Sequence, residues 1–225
     1  MDMEINQTLY SWIKDLHPKD ALFKGQSYLI IKRLMDLFIT ILSLPVWLPL
    51  IGLLALLVRI ESPGSPAIFT QLRTGKNGKR FQMYKLRSMV PNAEQLKKEL
   101  AHLNELQWPD FKITNDPRIT RIGRFLRKTS LDELPQMINV LKNEMSLVGP
   151  RPTSFSADTY QLWQTERLDV MPGITGLWQI YGRGETEFSQ RLKMDIAYID
   201  RRCLSLDIQI LFRTLIAVLK RRGAK

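Results

Sequence analysis

From Leu37 to Val58 the chain carries no charged residue, and Pro45 and Pro49 interrupt this apolar stretch near its middle. About 20 apolar residues suffice to cross a bilayer as a helix, and a soluble helix rarely needs so many. A proline inside a helix removes a backbone hydrogen bond and clashes with the preceding turn, at about 3 kcal/mol. Two of them four apart predict a bend or a break. Basic residues lie on both sides: Lys24, Lys32 and Arg33 before, and Arg59, Arg73, Lys76, Lys79, Arg80, Lys85 and Arg87 after. Basic flanks favour the cytoplasmic side of a membrane. A helix–break–helix that enters and leaves one leaflet keeps both clusters there, whereas a straight span exports one. Irregular backbone at membrane depth must be satisfied by protein, and Ser43 and Thr40 are available partners at the break. A straight span and a buried soluble helix remain the alternatives.

Downstream the periodicity shortens. Glu61–Ala67 is a Pro/Gly/Ser turn cluster. Strand-like pieces at Ala67–Arg73 and Lys79–Leu86 flank Gly75-Lys76-Asn77-Gly78, which suits a hairpin turn. Helical spacing predicts a charged helix over Pro91–Leu106 carrying Leu96, Leu100 and Leu103, and others over Leu131–Asn143, Phe155–Glu166, Glu187–Arg201 and Leu206–Arg222. The last carries Leu204, Ile208, Leu211, Leu215, Val218 and Leu219 on one side and ends Lys220-Arg221-Arg222. It reads either as a core-packed helix or as a basic amphipathic helix at a headgroup layer. Trp12, Ile13 and Leu16 offer a weak signal for a short interfacial helix in the arm. The fold class is therefore α+β and predominantly helical: an N-terminal arm (1–27), a re-entrant membrane helix (28–60), and a cytoplasmic body (61–225) with a small β hairpin and interfacial amphipathic helices.

Composition narrows the environment. The chain has 225 residues and a net charge of +11. That charge suits nucleic acid or an anionic membrane surface, and the apolar segment favours the membrane. A single cysteine, Cys203, excludes an internal disulfide and suits a reducing compartment. Residues 1–27 are mixed polar and charged, unlike a secretory signal. Neither His17 nor His102 has metal-ligand spacing, so zinc and Cys/His chemistry are disfavoured.

Asp132-Glu133 is the sharpest chemical candidate. Structurally, Ser130-Leu131-Asp132-Glu133 matches a capping box, with Glu133 reaching back to the cap. Pro135 conflicts with a helix starting there, but a start one or two residues later accommodates it. Both acids then sit at the positive end of a helix, which favours ionised carboxylates. An ionised aspartate is a nucleophile toward phosphorus, and adjacent carboxylates suit Mg²⁺. Arg118, Arg121, Arg124 and Arg127, with Lys128, precede the pair; such a run is ordinarily a solvated or lipid-facing surface, and Arg127 could orient phosphate. The glycines of Pro172–Gly184 serve either a tight turn or the close approach of backbone N–H groups to an anion. The order is neither a Walker loop nor a dinucleotide fingerprint.

Six blocks occur in order: Lys32-Arg33-Leu34-Met35-Asp36, Tyr84-Lys85-Leu86-Arg87-Ser88-Met89, Asp116-Pro117-Arg118-Ile119-Thr120, Arg127 through Gln136, Ser146 through Pro152, and Met171 through Gly176. Together, over roughly Ile31 to Leu219, they resemble the bacterial sugar transferase family, the monotopic polyprenyl-phosphate phosphoglycosyl transferases. The resemblance implies transfer of sugar 1-phosphate from a UDP-sugar, with a slight lean toward glucose or galactose, to undecaprenyl phosphate with release of UMP. This is the first membrane step of exopolysaccharide, capsule, O-antigen or glycan synthesis. It implies a ping-pong route in which Asp132 attacks the sugar-bearing phosphorus. Glu133, with Asp132, would hold Mg²⁺, and Arg127, Arg151, Arg183, Lys85 and Arg87 would bind substrate phosphate. Asp36 would be structural. Ser43, Pro45 and Pro49 would form the membrane break, although Leu44 here separates Ser43 from Pro45, where the family often has Ser directly before Pro. The implied location is the cytoplasmic face of the bacterial inner membrane, a homodimer is allowed, and the chain reads as a minimal form of the module. Two non-catalytic readings compete: a membrane-tethered partner in polysaccharide assembly, and a basic module binding lipid or nucleic acid. Both leave the acid pair unused.

Overall fold

The computed structural model describes residues 21–105, 111–181 and 187–219. It contains two long helices, a β hairpin, a short parallel pair and several short helices. Helices α1 (Gly25–Leu42) and α2 (Leu44–Glu61) meet at Ser43. Pro45 falls in the first turn of α2, where its missing N–H costs little. Pro49 lies inside α2, where it deprives the Pro45 carbonyl of its helical donor. Ser43 Oγ donates to the Ile39 carbonyl at 2.7 Å, and Trp47 Nε1 donates to the Thr40 carbonyl at 2.9 Å. Ser43 thus satisfies backbone at the junction, as its sequence position suggests; the Thr40 hydroxyl is buried without a partner, and Thr40 contributes its carbonyl instead.

Helix α1 is inside out. Its inward stripe is Tyr28, Lys32, Asp36 and Thr40, at intervals of four, while Ile30, Leu34, Phe38, Ile41 and Leu42 are exposed. Three members of the polar stripe bond to the rest of the fold. Tyr28 donates to Asp207 at 2.9 Å, Lys32 pairs with Asp207 at 3.1 Å, and Asp36 accepts from Ser146 Oγ at 2.6 Å and from the Leu147 N–H at 3.3 Å. Helix α2 buries Trp47, Ile51, Leu54 and Val58 against Leu86 and Leu126, and exposes Val46, Leu48, Leu53, Leu56, Leu57 and Ile60. It is long and apolar enough to cross a membrane by length and composition. Exposed apolar surface on this scale marks an interaction face rather than a soluble exterior.

Strands β1 (Ile68–Thr74) and β2 (Arg80–Leu86) pair antiparallel with Ile68 opposite Leu86 and Thr74 opposite Arg80. Asn77 and Gly78 both take positive φ in the connection, which is why that dipeptide serves there. Helix α3 (Ala93–Glu99) and a 3₁₀ turn at Leu100–Leu103 replace the longer helix expected over Pro91–Leu106. Helix α4 (Arg121–Thr129) is capped by the Thr120 side chain and by the Glu61 carboxylate from the end of α2. A 3₁₀ turn at Leu131–Glu133 leads to the six-residue α5 (Gln136–Leu141). Parallel strands β3 (Ser146–Val148) and β4 (Gly173–Thr175) follow, then α6 (Leu177–Tyr181), α7 (Phe188–Arg201) and α8 (Leu204–Leu219).

A further expectation fails here. Phe155–Glu166 is not a helix; it forms 3₁₀ turns at Ala157–Thr159 and Leu162–Leu168, which leave Leu162 exposed, because the segment lacks a buried apolar face to hold a full helix. The core face of α8 is Leu206 and Ile210, so Ile208 and Leu215, with Phe212, point outward. Of the two readings of that helix, the outward apolar stripe favours the interfacial one.

Candidate active site

The acid pair sits where three elements converge. Ser130 adopts the left-handed conformation (φ 58°) as the terminal cap of α4 and reverses the chain. Its side chain makes no capping bond, so the capping-box reading is wrong: Ser130 ends one helix instead of starting another. The 3₁₀ turn that follows carries Asp132 and Glu133 ahead of a helix too short for its dipole to matter. Cations, not a helix end, set the electrostatics. Asn139, fully buried in α5, accepts from the Tyr84 N–H at 3.1 Å and donates to the Gln82 carbonyl at 2.7 Å. Those bonds fasten α5 to β2 and bring Lys85, on the same strand face as Phe81 and Met83, against the turn.

Glu133 is the electrostatic centre of the cluster. Lys85 Nζ lies 3.0 Å from Glu133 Oε1, and Arg151 grips the same carboxylate with both terminal nitrogens, Nη1 at 3.1 Å from Oε2. Burial alone would raise the Glu133 carboxyl, but Arg151 and Lys85 outweigh it and hold the group well below the usual carboxylate range. Asp132 is pushed the opposite way. Burial raises its carboxyl, Lys85 opposes, and the neighbouring Glu133 charge adds to the rise. The two adjacent carboxylates are thus driven apart by their surroundings. Burial lowers the Lys85 ammonium, with Glu133 opposing.

Arg127 closes the side facing α4. Its Nε donates to Ser88 Oγ at 2.9 Å, and Asp132 is the first of the charges acting on it. Gly123 makes this approach possible: a Cβ there would lie 2.0 Å from the Ser88 carbonyl oxygen. The basic run is not one face. Arg118 is buried in a pair with Asp116 at 2.6 Å, Arg121 and Arg124 are exposed, and Arg127 turns inward.

Of the residues expected at the site, the fold brings together Asp132, Glu133, Lys85, Arg127 and Arg151. It does not bring Arg87 to them: Arg87 donates to the Pro66 carbonyl and lies over the Phe69 ring. Arg183, and the end of the last helix at Lys220-Arg221-Arg222, lie outside the described residues, as do Trp12, Ile13 and Leu16. Asp36 is fully engaged in holding β3, a structural role. Sequence reasoning missed Arg73, whose Nη1 donates to the Pro152 carbonyl at 3.5 Å beside the Arg151 turn. Burial, with Arg151 nearby, pushes Arg73 down to about 10. Its only signal was a place at the end of a strand one turn from a glycine-rich connection.

Whether Mg²⁺ fits can be asked of the donors. Among the described residues no three His, Cys, Asp or Glu side chains gather as a protein-only cation site would require. Mg²⁺, however, typically takes one or two carboxylates and fills its remaining positions with phosphate oxygens and water. Adjacent Asp132 and Glu133, the second held ionised, fit that pattern as donor types.

The sequence model of the bacterial sugar transferase family matches residues 27–221. A galactosyl transferase, CpsE, of Streptococcus agalactiae is 46% identical over 207 residues, covering 90% of this chain and 45% of that protein. An undecaprenyl-phosphate galactose phosphotransferase of Salmonella typhimurium is 45% identical over 199 residues, covering 86% of this chain and 41% of that protein. The exopolysaccharide production protein ExoY of Sinorhizobium fredii is 38% identical over 202 residues, covering 87% of this chain and 88% of the relative. The chain thus spans less than half the length of the first two and most of the third. With a family match over nearly all of its described residues and relatives of this identity, the chain belongs to the bacterial sugar transferase family.

Proposed function

We propose that this chain transfers a sugar 1-phosphate from a UDP-hexose to undecaprenyl phosphate, releasing UMP, at the cytoplasmic face of the bacterial inner membrane. The observation that carries the reading is the buried carboxylate of Asp132 beside a Glu133 clamped by Lys85 and Arg151. The names of the relatives supply the substrate class.

In the first step an Asp132 carboxylate oxygen attacks the sugar-bearing phosphorus. A phosphorus–oxygen bond forms, the bond to the UMP oxygen breaks, and UMP leaves carrying that electron pair. In the second step an oxygen of undecaprenyl phosphate attacks the same phosphorus, and the Asp132 carboxylate is released unchanged. Such transfers need little from a protein beyond positioning and charge neutralisation. Lys85, Arg151 and Arg127 supply fixed positive charge, and Glu133 orders two of them. Mg²⁺ held by Asp132 and Glu133 would supply further neutralisation of the diphosphate when bound. Asp132 must be deprotonated to react, and Lys85, the strongest charge opposing its rise, keeps the anion accessible.

The two long helices support a re-entrant membrane arrangement. Tyr28, Lys32 and Asp36 tie α1 to the body, and Glu61 ties the far end of α2 to α4. Both outer ends of the helix pair therefore rest on one body, and Trp47, close to the break, packs on that body too. A re-entrant pair satisfies this arrangement, with the exposed apolar faces in one leaflet and the break at Ser43, Pro45 and Pro49. The acid pair then stands near the plane where a lipid phosphate lies.

The test is a panel of UDP-sugars with undecaprenyl phosphate and Mg²⁺, scored by UMP release. We expect turnover with a UDP-hexose and loss of at least a thousandfold in Asp132→Asn. Full turnover in that variant would remove Asp132 from the mechanism, and no UMP from any donor would remove the function.

A further inference from the structure

Arg151 clamps Glu133 from a turn that has little to hold it. Pro150 and Pro152 have no N–H to donate, so the turn depends heavily on its carbonyls. Each of the three is caught by a donor from a different element. Pro150 O accepts from the Gly173 N–H at 2.9 Å, Arg151 O from Arg167 Nη2 at 2.6 Å, and Pro152 O from Arg73 Nη1 at 3.5 Å. Two of the three donors are guanidinium groups, and the bond from Arg167 to the Arg151 carbonyl is the shortest of the three.

That donor has one other role. The same Arg167 Nη2 lies 2.7 Å from Asp195 Oδ2 of α7, and both side chains are nearly sealed from solvent, 6% and 2% exposed. Burial pushes the Asp195 carboxyl up to about 6, against the pull of Arg167 and Arg191. A buried ion pair seldom improves on apolar packing for stability, so its value is sought in what it orients. Here it orients one carbonyl, that of the residue whose guanidinium reaches the catalytic acid pair. We propose that Asp195 and Arg167 are positioning residues for the sugar-phosphate transfer, a buried clamp that fixes the Arg151 backbone so that its side chain meets Glu133. The proposal rests on the functional reading above. It adds two residues that lie outside all six sequence blocks and touch neither substrate nor the acid pair.

A double-mutant cycle between Asp195 and Arg151 tests it, because the clamp acts only through Arg151. Asp195→Asn keeps the shape and removes the charge. We expect it to lower kcat/KM for the UDP-sugar about tenfold to a hundredfold, as loss of supporting groups around a site typically does. The same substitution in the Arg151→Ala background should change the residual activity by less than about twofold, since nothing remains to position. A merely structural pair would instead multiply the two losses, and equal factors in both backgrounds would overturn the proposal. Full activity of a folded Asp195→Asn protein would overturn it as well. Should Asp195→Asn fail to fold, Arg167→Lys, which retains the charge but not the fork, enters the same cycle. If the wild-type protein releases no UMP, the functional reading fails, and the cycle is read in thermal melting. Coupled shifts there support the clamp, and additive shifts refute it.

Discussion

Asp132 and Glu133 are chemically alike and adjacent, yet their surroundings drive them apart. Glu133 lies between Lys85 and Arg151 and stays ionised far into acid. Its depressed carboxyl contributes stability that is present above the unfolded value, about 4.3, and is lost as the pH falls through the folded one. Asp132 carries the opposite sign: burial raises it, so it takes up a proton at a pH where an exposed aspartate would not. A protonated carboxyl is no nucleophile. We therefore expect kcat/KM for the donor to fall on the acid side at a pH above the ordinary aspartate value of about 3.9, measured as the pH dependence of UMP release at donor concentrations below KM. A profile flat down to that ordinary value would contradict the assignment. At this scale the sequence was informative where chemistry is local. The acid pair announces itself as two carboxylates together, and the family blocks point to Lys85, Arg127 and Arg151. What stayed hidden is what depends on distant partners. Arg167 and Asp195 are 28 positions apart, the first on the Leu162–Leu168 turn and the second on α7, with strand β4 between them. Asn139 looks like any polar helix residue until Tyr84 and Gln82 are placed beside it. Arg87 shows the converse, since its block suggests phosphate binding while the strand delivers it to Pro66 and Phe69.

Short elements were harder to anticipate than long ones. The two long helices and the hairpin follow from apolar run length and from alternation, signals that accumulate over many residues. The Leu131–Glu133 turn and the Leu162–Leu168 turn do not, because helical spacing over five to ten residues also describes a 3₁₀ segment. The glycine-rich segment had two readings, anion cradle or tight packing, and for its described part the packing reading fits. A Cβ on Gly173 would come within 2.1 Å of the Gly149 backbone nitrogen, while the Gly173 N–H is spent on the Pro150 carbonyl. We expect Gly173→Ala to destabilise the fold by about 2 kcal/mol or more and to lower the melting temperature, because backbone rather than a flexible side-chain tip must yield. An unchanged melting temperature would mean that the β3–β4 pair is less tightly joined than described. Helix α1 teaches a related lesson. Its stripe of Tyr28, Lys32, Asp36 and Thr40 was not read from the sequence, where the apolar run dominates, and only the contacts with Asp207 and Ser146 explain why a helix so apolar elsewhere keeps polar groups on one side.

On the scale of the whole molecule, one body joins a buried, charged acid pair to an apolar outer face. The exposed residues of α1 and α2, and the outward stripe Ile208, Phe212 and Leu215 of α8, are the surfaces that water would reject. Exposed Phe125 projects from α4 among Arg121, Arg124 and Lys128, an aromatic in a basic setting of the kind that suits an anionic headgroup layer. The proposed division of labour is simple: the apolar helices set the depth, and the acid pair waits at that depth for two substrates from different phases. A carboxylate that takes the sugar phosphate from the aqueous donor can hold it until the lipid arrives, which is why a covalent intermediate is the central claim. The most direct test is to incubate the protein with a UDP-hexose and Mg²⁺ but no polyprenyl phosphate, and to measure intact and peptide masses. The account predicts a burst of UMP matched by one hexose phosphate bound at Asp132, discharged when undecaprenyl phosphate is added. UMP released only when both substrates are present, with no modified peptide at any time, would contradict it.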